Sequence, residues 1–370
     1  MRLQSIELRE FRNHRDARFD LRGDSALVLG ENGSGKTNLI EAVVLLSIGK
    51  SFRGSRDPAM ARRGAAVFEV RGLVEDRRGV TTEIIARGGD MARKEFLVDG
   101  EPLARVTDLL GRFCTVHFSV EDVAVLNGGP ASRRRFLDVA LCQLEAGYVA
   151  SLRDYMTALR QRNQLLIADR RGHRVEDGEL LAWEEILARA GVALDRRRRT
   201  LCGELHRHVR ALSSDVDAAL EPALEYRDGF GDSERTDDEE AASRLERLTR
   251  ARPGDRRMGW TMLGPHRARL RCTIGGEELS DGASRGYSRL YSILLRLALA
   301  RVFEERQSEP PVVLLDDPES ELDPRWIGRV LKLVPESSQV LVTACRHLSE
   351  TPSRFRTLPI EQALPVGSAA

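Results

Sequence analysis

The stretch VLGENGSGKTNLIEAVVLLS, residues 28–47, holds Gly30, Gly35, Lys36 and Thr37 in the spacing G-x-x-x-x-G-K-[ST]. Its flanks supply the context that this spacing needs. Ala26 to Leu29 is a short apolar run suited to a buried strand, and from Thr37 onward Leu39, Ile40, Val43, Val44 and Leu46 recur at helical spacing. A loop pinched between strand and helix aims successive backbone N–H groups and a helix N-terminus at one anion, and glycine lets the backbone curl without Cβ clashes. Lys36 is therefore expected to reach the β- and γ-phosphates of a nucleoside triphosphate, and the Thr37 hydroxyl to ligate Mg²⁺. The competing reading, a plain glycine-rich turn, does not account for the strand and helix on either side.

Outward from the loop, the chain is an α/β protein. Its 370 residues suffice for one large or two medium domains. No apolar run approaches the roughly 18 residues of a membrane span, and the start MRLQSIELREFRNHRD is a strand pattern broken by charges rather than a leader peptide, so a cytoplasmic protein with no membrane partner is expected. Cys114, Cys142, Cys202, Cys272 and Cys345 lie far apart without a C-x-x-C pair, which argues against zinc and against a disulfide framework. The net charge of +1 gives no bulk argument for nucleic acid. Basic residues are nearly all arginine, with runs at 133–135, 170–174 and 196–199, each open to a reading as phosphate contacts or as solvated helix face.

Short strands are expected at 2–8, 17–21, 26–29, 66–74, 81–86 and 95–99, interrupted only by the helix after the loop. From about residue 132 the periodicity turns helical, with Phe136, Ala140, Leu144, Val149, Leu152, Tyr155 and Leu159 on one stripe. After a break at 172–178, a second long pattern over 179–212 carries Leu181, Ile186, Leu187, Leu194, Leu201 and Leu205. Two helices of about 50 Å, packed as an antiparallel pair, are the expectation. Strand texture returns at 267–274, followed by a helix over 284–305, a strand at 312–318, a helix near 325–333 and a buried strand at 339–345. The divisions predicted are 1–129, 130–251 and 252–370: two half-lobes separated by a helical insert.

VVLLDDP, 312–318, delivers Asp316 to the metal at the carboxyl edge of a buried strand, and Asp317 sits where a general base could polarise an attacking water. A third element, Ser284-Arg285-Gly286, opens a helix bearing Tyr287, Leu290, Leu294 and Leu297. A helix start of serine and glycine is a second anion site, one that a phosphate chain held by another subunit can use.

Taken together, the loop at Gly30–Thr37, Ser284-Arg285-Gly286, LLDDPESELD and the long helical insert resemble an ATP-binding-cassette head of the SMC-like class. Within that class the chain resembles the RecF family of bacterial recombination repair. The segments LREFRNHRDARFDL, GKSFR, SVEDVAVLNGGPASRRRFLD, YMTALRQRNQLL and GPHR fall in the family's order and spacing. The resemblance implies a P-loop ATPase head with an inserted α-helical arm, working as an ATP-dependent homodimer in which each phosphate loop meets the partner subunit's signature serine. It implies binding of double-stranded DNA and single-strand/double-strand junctions, and a weak DNA-stimulated ATPase using ATP and Mg²⁺. It also implies action with RecR and RecO to direct RecA to gapped DNA.

Carried over by position, Gly30, Glu31, Asn32, Gly33, Ser34, Gly35, Lys36, Thr37 and Asn38 surround the phosphates, and Arg12 reaches toward the nucleotide. Ser284 and Gly286 form the signature, with Ser284 acting alongside Lys36 and Asp317 in catalysis. Glu121 or Asp122 occupies the Q-loop, Ser320 and Asp323 match the D-loop, and His347 is a candidate switch histidine. The chain departs from the family where Tyr287 and Ser288 replace two glutamines and where Ala268 and Arg269 follow GPHR in place of two aspartates. Two other readings remain open: an SMC-like ATPase subunit of a defence or chromosome-maintenance complex, and a transporter's ATPase subunit.

Overall fold

A computed structural model describes residues 1–53, 57–89, 94–119, 129–216, 220–230, 237–279, 285–320, 324–348 and 351–362. The chain opens with β1 (Arg2–Phe11) and β2 (His14–Asp20), then β3 (Ser25–Leu29) and α1 (Lys36–Ile48). β4 (Val67–Glu75), β5 (Thr81–Gly89), β6 (Glu95–Val98), the two-residue β7 (Glu101–Pro102) and β8 (Thr115–Phe118) follow. β1, β2 and β4 to β7 form an antiparallel sheet in the order β2-β1-β4-β5-β6-β7. The helices α2 (Pro130–Leu144), α3 (Ala146–Arg170) and α4 (Asp177–Val216) come next, then β9 (Pro222–Arg227) and α5 (Asp237–Met258). β10 (Arg269–Ile274), β11 (Glu277–Glu278), α6 (Arg285–Gln307), β12 (Val312–Asp316), α7 (Pro324–Leu333), β13 (Val340–Ala344) and β14 (Phe355–Pro359) complete the order.

The five strands β14-β3-β13-β12-β8 make an all-parallel sheet. Its three inner strands, β3, β13 and β12, are near-continuous runs of Val, Leu and Ala because both faces are covered. The side-chain period of two splits them cleanly. Leu27, Val313, Leu315, Val340 and Val342 face a core shared with the helices, whereas Ala26, Val28, Val312, Leu314 and Leu341 face a second core shared with α1 and the antiparallel sheet. α1 lies between the two sheets and buries residues around its whole circumference, as a helix covered on all sides must.

Two expectations about the insert are corrected. The first stripe is not one helix but two, because Glu145 takes an extended conformation (φ −139°, ψ 106°) between α2 and α3 and turns its carboxylate to Arg306 and Arg197. The second helix runs 40 residues, about 60 Å at 1.5 Å per residue. The α3–α4 pair is antiparallel: Tyr148 meets Arg198, and further along Arg162 meets Glu184. α5 was not expected, and it runs through the 251/252 division.

The arginine runs are also not simply solvated. Arg133 is buried, donating to the Leu270 carbonyl and pairing with Glu278, while Arg198 is buried against Asp138, Tyr148 and the Pro265 carbonyl. The 133–135 and 196–199 runs converge, Arg134, Arg135 and Arg198 lining one cavity, and burial followed by the charge of Arg198 lowers the pKa of Arg134. At the centre of the arm the Arg162 guanidinium, 0% exposed, bonds Glu184, Asp255 and Thr261 from α4, α5 and the segment beyond. Tyr155 of α3 then reaches His266, with Oη 2.6 Å from Nδ1, so the YMTALRQRN and GPHR segments meet as packing partners. No described helix is long and apolar enough to cross a membrane.

Candidate nucleotide site

The site forms where the carboxyl ends of β3, β13 and β12 lie side by side, the edge at which a parallel sheet with helical crossovers binds ligands. β3 feeds residues 30–35 into α1. Gly35 is the residue before the helix and has φ 108°, a left-handed conformation that a side chain resists. A Cβ there would also sit 2.6 Å from Asn13 and His14. The turn between β1 and β2 thus packs directly on the back of the loop: His14 Nε2 lies 3.2 Å from the Gly35 carbonyl, and Asn13 accepts from Asn38 at 2.7 Å. Burial lowers the pKa of His14, and its hydrogen bond to Gly35 opposes that shift. At the other end of the loop, a Cβ on Gly30 would come 2.4 Å from Ile360.

Lys36 is 6% exposed and threads inside the loop, where its ammonium donates to the carbonyls of Gly30 (2.6 Å) and Glu31 (2.9 Å) and approaches Cys345 Sγ at 3.6 Å. Cys345 in turn bonds Asn32 Oδ1 and, through its backbone N–H, Glu319. From the far end of the sequence, the Asp316 carboxylate accepts from Thr37 Oγ1 at 3.1 Å. Asp317 follows with φ 47°, and its backbone carbonyl accepts from the Ser320 hydroxyl at 2.9 Å. Burial raises the Asp317 pKa, reinforced by the charges of Glu319 and Asp316 and opposed by Lys36 and Ser320.

The polar atoms here fit an anion with a hard cation. Thr37 Oγ1 and Asp316 Oδ1 are oxygen donors of the kind Mg²⁺ takes. Among the described residues, Ser34 Oγ and Asp317 Oδ1 are buried atoms without a hydrogen-bond partner, both at this edge. The cluster Asp317, Glu319 and Cys345, by contrast, mixes a thiol with carboxylates and does not suit Mg²⁺.

The structure therefore brings together the loop residues 30–38, Asp316 and Asp317. Arg12 lies beside α1, where its guanidinium holds the fully buried Glu41 at 2.5 and 2.9 Å and the Ala59 carbonyl at 2.5 Å. Arg53 of GKSFR bonds Asn38 Oδ1 at 3.0 Å. Gly286 and Tyr287 are exposed in the first turn of α6, and His347 is exposed beyond β13. Ser284, Glu121, Asp122 and Asp323 lie outside the described residues. Thr343, Cys345 and Glu319 were missed by sequence reading; the one signal was a polar residue, Thr343, in an otherwise apolar strand.

Residues 2–354 match the RecF/RecN/SMC N terminal domain. The DNA replication and repair protein RecF of Moorella thermoacetica is 35% identical over 341 residues, covering 92% of this chain and 89% of the relative. RecF of Symbiobacterium thermophilum is 35% identical over 355 residues, with coverage of 95% and 92%. Among solved structures, the ATP complex of the recombination mediator protein RecF in the RecFOR pathway superposes with a TM-score of 0.89 at 28% identity, covering 99% of this chain and 97% of the other. An Smc head bound to the C-winged helix domain of ScpA shares the fold, with a TM-score of 0.55 at 16% identity over 94% and 90% of the two chains.

Proposed function

The chain belongs to the RecF family of SMC-like, ABC-type ATPases, and from that premise we propose an ATP-dependent DNA-binding protein of recombinational repair and replication-fork maintenance. It acts in the cytoplasm as an ATP-induced dimer on duplex DNA at gaps, hydrolyses ATP slowly under DNA stimulation, and works with RecR and RecO to help load RecA. Residues 1–129 and 252–370 are read as the two halves of the ATPase head and 130–251 as the arm, which α5 carries on to Met258. The observation that carries the reading is the bond between Thr37 and Asp316, which joins a phosphate loop to an acidic strand end 279 residues away in sequence.

The residues divide the work. Mg²⁺, when bound, neutralises charge on the phosphate oxygens, and Thr37 and Asp316 are the side chains to hold it. Lys36 and the N–H groups of 33–37 bind the phosphates, a charge-assisted contact for which the ammonium already lies inside the loop. Asp317 takes the proton of the attacking water, its raised pKa bringing it nearer the range in which a base is effective. Ser284 and Gly286 close on the partner subunit's phosphates.

Sedimentation with ATP, ADP or no nucleotide, each with and without duplex DNA, tests this. A shift to dimer with ATP, and DNA co-sedimentation that falls steeply with salt because phosphates are the contacts, is the expected result. A monomer under every condition, or DNA binding indifferent to both ATP and salt, would count against it.

A further inference from the structure

β13 runs between β3, which leads into the phosphate loop, and β12, which ends at Asp316. Thr343 is the β13 residue abreast of both Val28 and Asp316. The rest of that strand is Val340, Leu341, Val342 and Ala344, the composition of a central parallel strand, so a fully buried threonine stands out in it. Its hydroxyl is used twice. It donates to Asp316 Oδ1 at 2.7 Å and accepts the backbone N–H of Asp317 at 2.9 Å.

One oxygen thus holds the side chain of one aspartate and the main chain of the next. Both are atoms that need holding. Asp316 Oδ1 is also the acceptor of Thr37, whose hydroxyl is wanted for another ligand, and Thr343 is the donor that remains when Thr37 turns away. Asp317 sits in the left-handed region, where a residue with a side chain stays only if its surroundings fix it. The Thr343 acceptor on its N–H and the Ser320 donors on its carbonyl are those fixings.

We propose that Thr343 is a positioning residue for ATP hydrolysis, orienting the Asp316 carboxylate toward Thr37 and locking the backbone of Asp317. The proposal rests on the ATPase reading above, and the two are separable by experiment. Thr343→Val removes the hydroxyl at nearly constant volume, and Thr343→Ser keeps it. In the nucleotide-free protein, hydrogen exchange of the segment 313–320 should be faster in Thr343→Val and unchanged in Thr343→Ser.

ATP affinity measured in EDTA should stay within about twofold of wild type, while the Mg²⁺ concentration for half-maximal stimulation of binding and turnover rises and kcat falls about 10- to 100-fold, the range expected for a lost hydrogen bond to a charged group. Thr343→Ser should match wild type in all of these. Thr343→Val with unchanged exchange and unchanged Mg²⁺ midpoint, or Thr343→Ser as impaired as Thr343→Val, overturns the proposal. Should valine prevent folding, Thr343→Ala, which is smaller than threonine, takes its place. A wild-type protein that neither binds nor hydrolyses ATP removes the ATPase reading, while the exchange comparison still decides whether Thr343 holds Asp317.

Discussion

Asp317 is ionised at a cost. Burial raises its pKa above the ordinary aspartate value of 3.8, and the neighbouring carboxylates of Glu319 and Asp316 push it the same way. A carboxyl whose folded pKa lies above its unfolded one contributes stability that is complete below the unfolded value and lost as pH rises through the folded one. At neutral pH the charged side chain therefore weakens the fold, and Asn in its place removes the charge. Asp317→Asn is expected to melt above wild type at pH 7, with the difference vanishing below about pH 4. The same variant should lose about 10²- to 10⁴-fold in hydrolysis, the usual contribution of a positioned base. Thermal melts across pH, paired with single-turnover hydrolysis, check both. Equal melting at pH 7 would show that the side chain is not strained by its neighbours, and wild-type turnover would remove it as base.

Among the elements, α3, α4 and α5 are tied through one guanidinium. Arg162, Glu184 and Asp255 are each 0% exposed, and Arg252 adds a second cation to Glu184. Arg162→Met keeps an unbranched apolar stem and removes the guanidinium, leaving Asp255 buried and without the cation it pairs with. A loss of about 3–5 kcal/mol is expected, the cost of breaking a buried pair from one side. Urea unfolding followed by far-UV circular dichroism measures it, and a loss under about 1 kcal/mol would mean that the network relaxes around the gap.

This hub also shows what the sequence could and could not disclose. The phosphate loop, the two aspartates and most strands were legible because each is local: a spacing, an apolar run or a turn. Arg162 gave no signal, and Arg198 stood only within a run open to reading as phosphate contacts or solvated face, because their partners lie up to 99 residues away. α5 was hidden by its acidic opening Asp237–Glu240 and by Pro253 within it. β8 and β14 were passed over for another reason: Thr115 and His117 in one, and Arg356, Thr357 and Pro359 in the other, break the apolar run that marks a buried parallel strand.

For the whole molecule, the decisive question is the second anion site. Gly286 and Tyr287 are exposed at the start of α6, where a neighbouring copy could reach them, while Ser284 lies outside the described residues. In the proposed dimer Ser284 meets the partner subunit's phosphates, so Ser284→Arg would put bulk between the two. The variant is expected to bind ATP as a monomer, to fail to dimerise, and to lose hydrolysis and stable DNA binding together, each by about tenfold or more as the ATP-linked association energy is lost. Analytical ultracentrifugation with ATP distinguishes the outcomes: ATP-induced dimers that persist in Ser284→Arg would overturn the composite site built on that serine.

The strand order of the parallel sheet sets a timetable for the protein's birth. β3, the strand that carries the phosphate loop, has β13 and β14 as its two neighbours, and both lie far downstream of it in the sequence. Asn32 and Cys345, in contact across the finished site, are 313 residues apart in sequence. At roughly 5–20 residues per second, a ribosome needs on the order of 15–60 s to bridge that interval. Throughout it β3 lacks its two sheet partners, and the loop lacks the β13 side of the site. The site is complete only once β13 and β14 have taken their places on either side of β3.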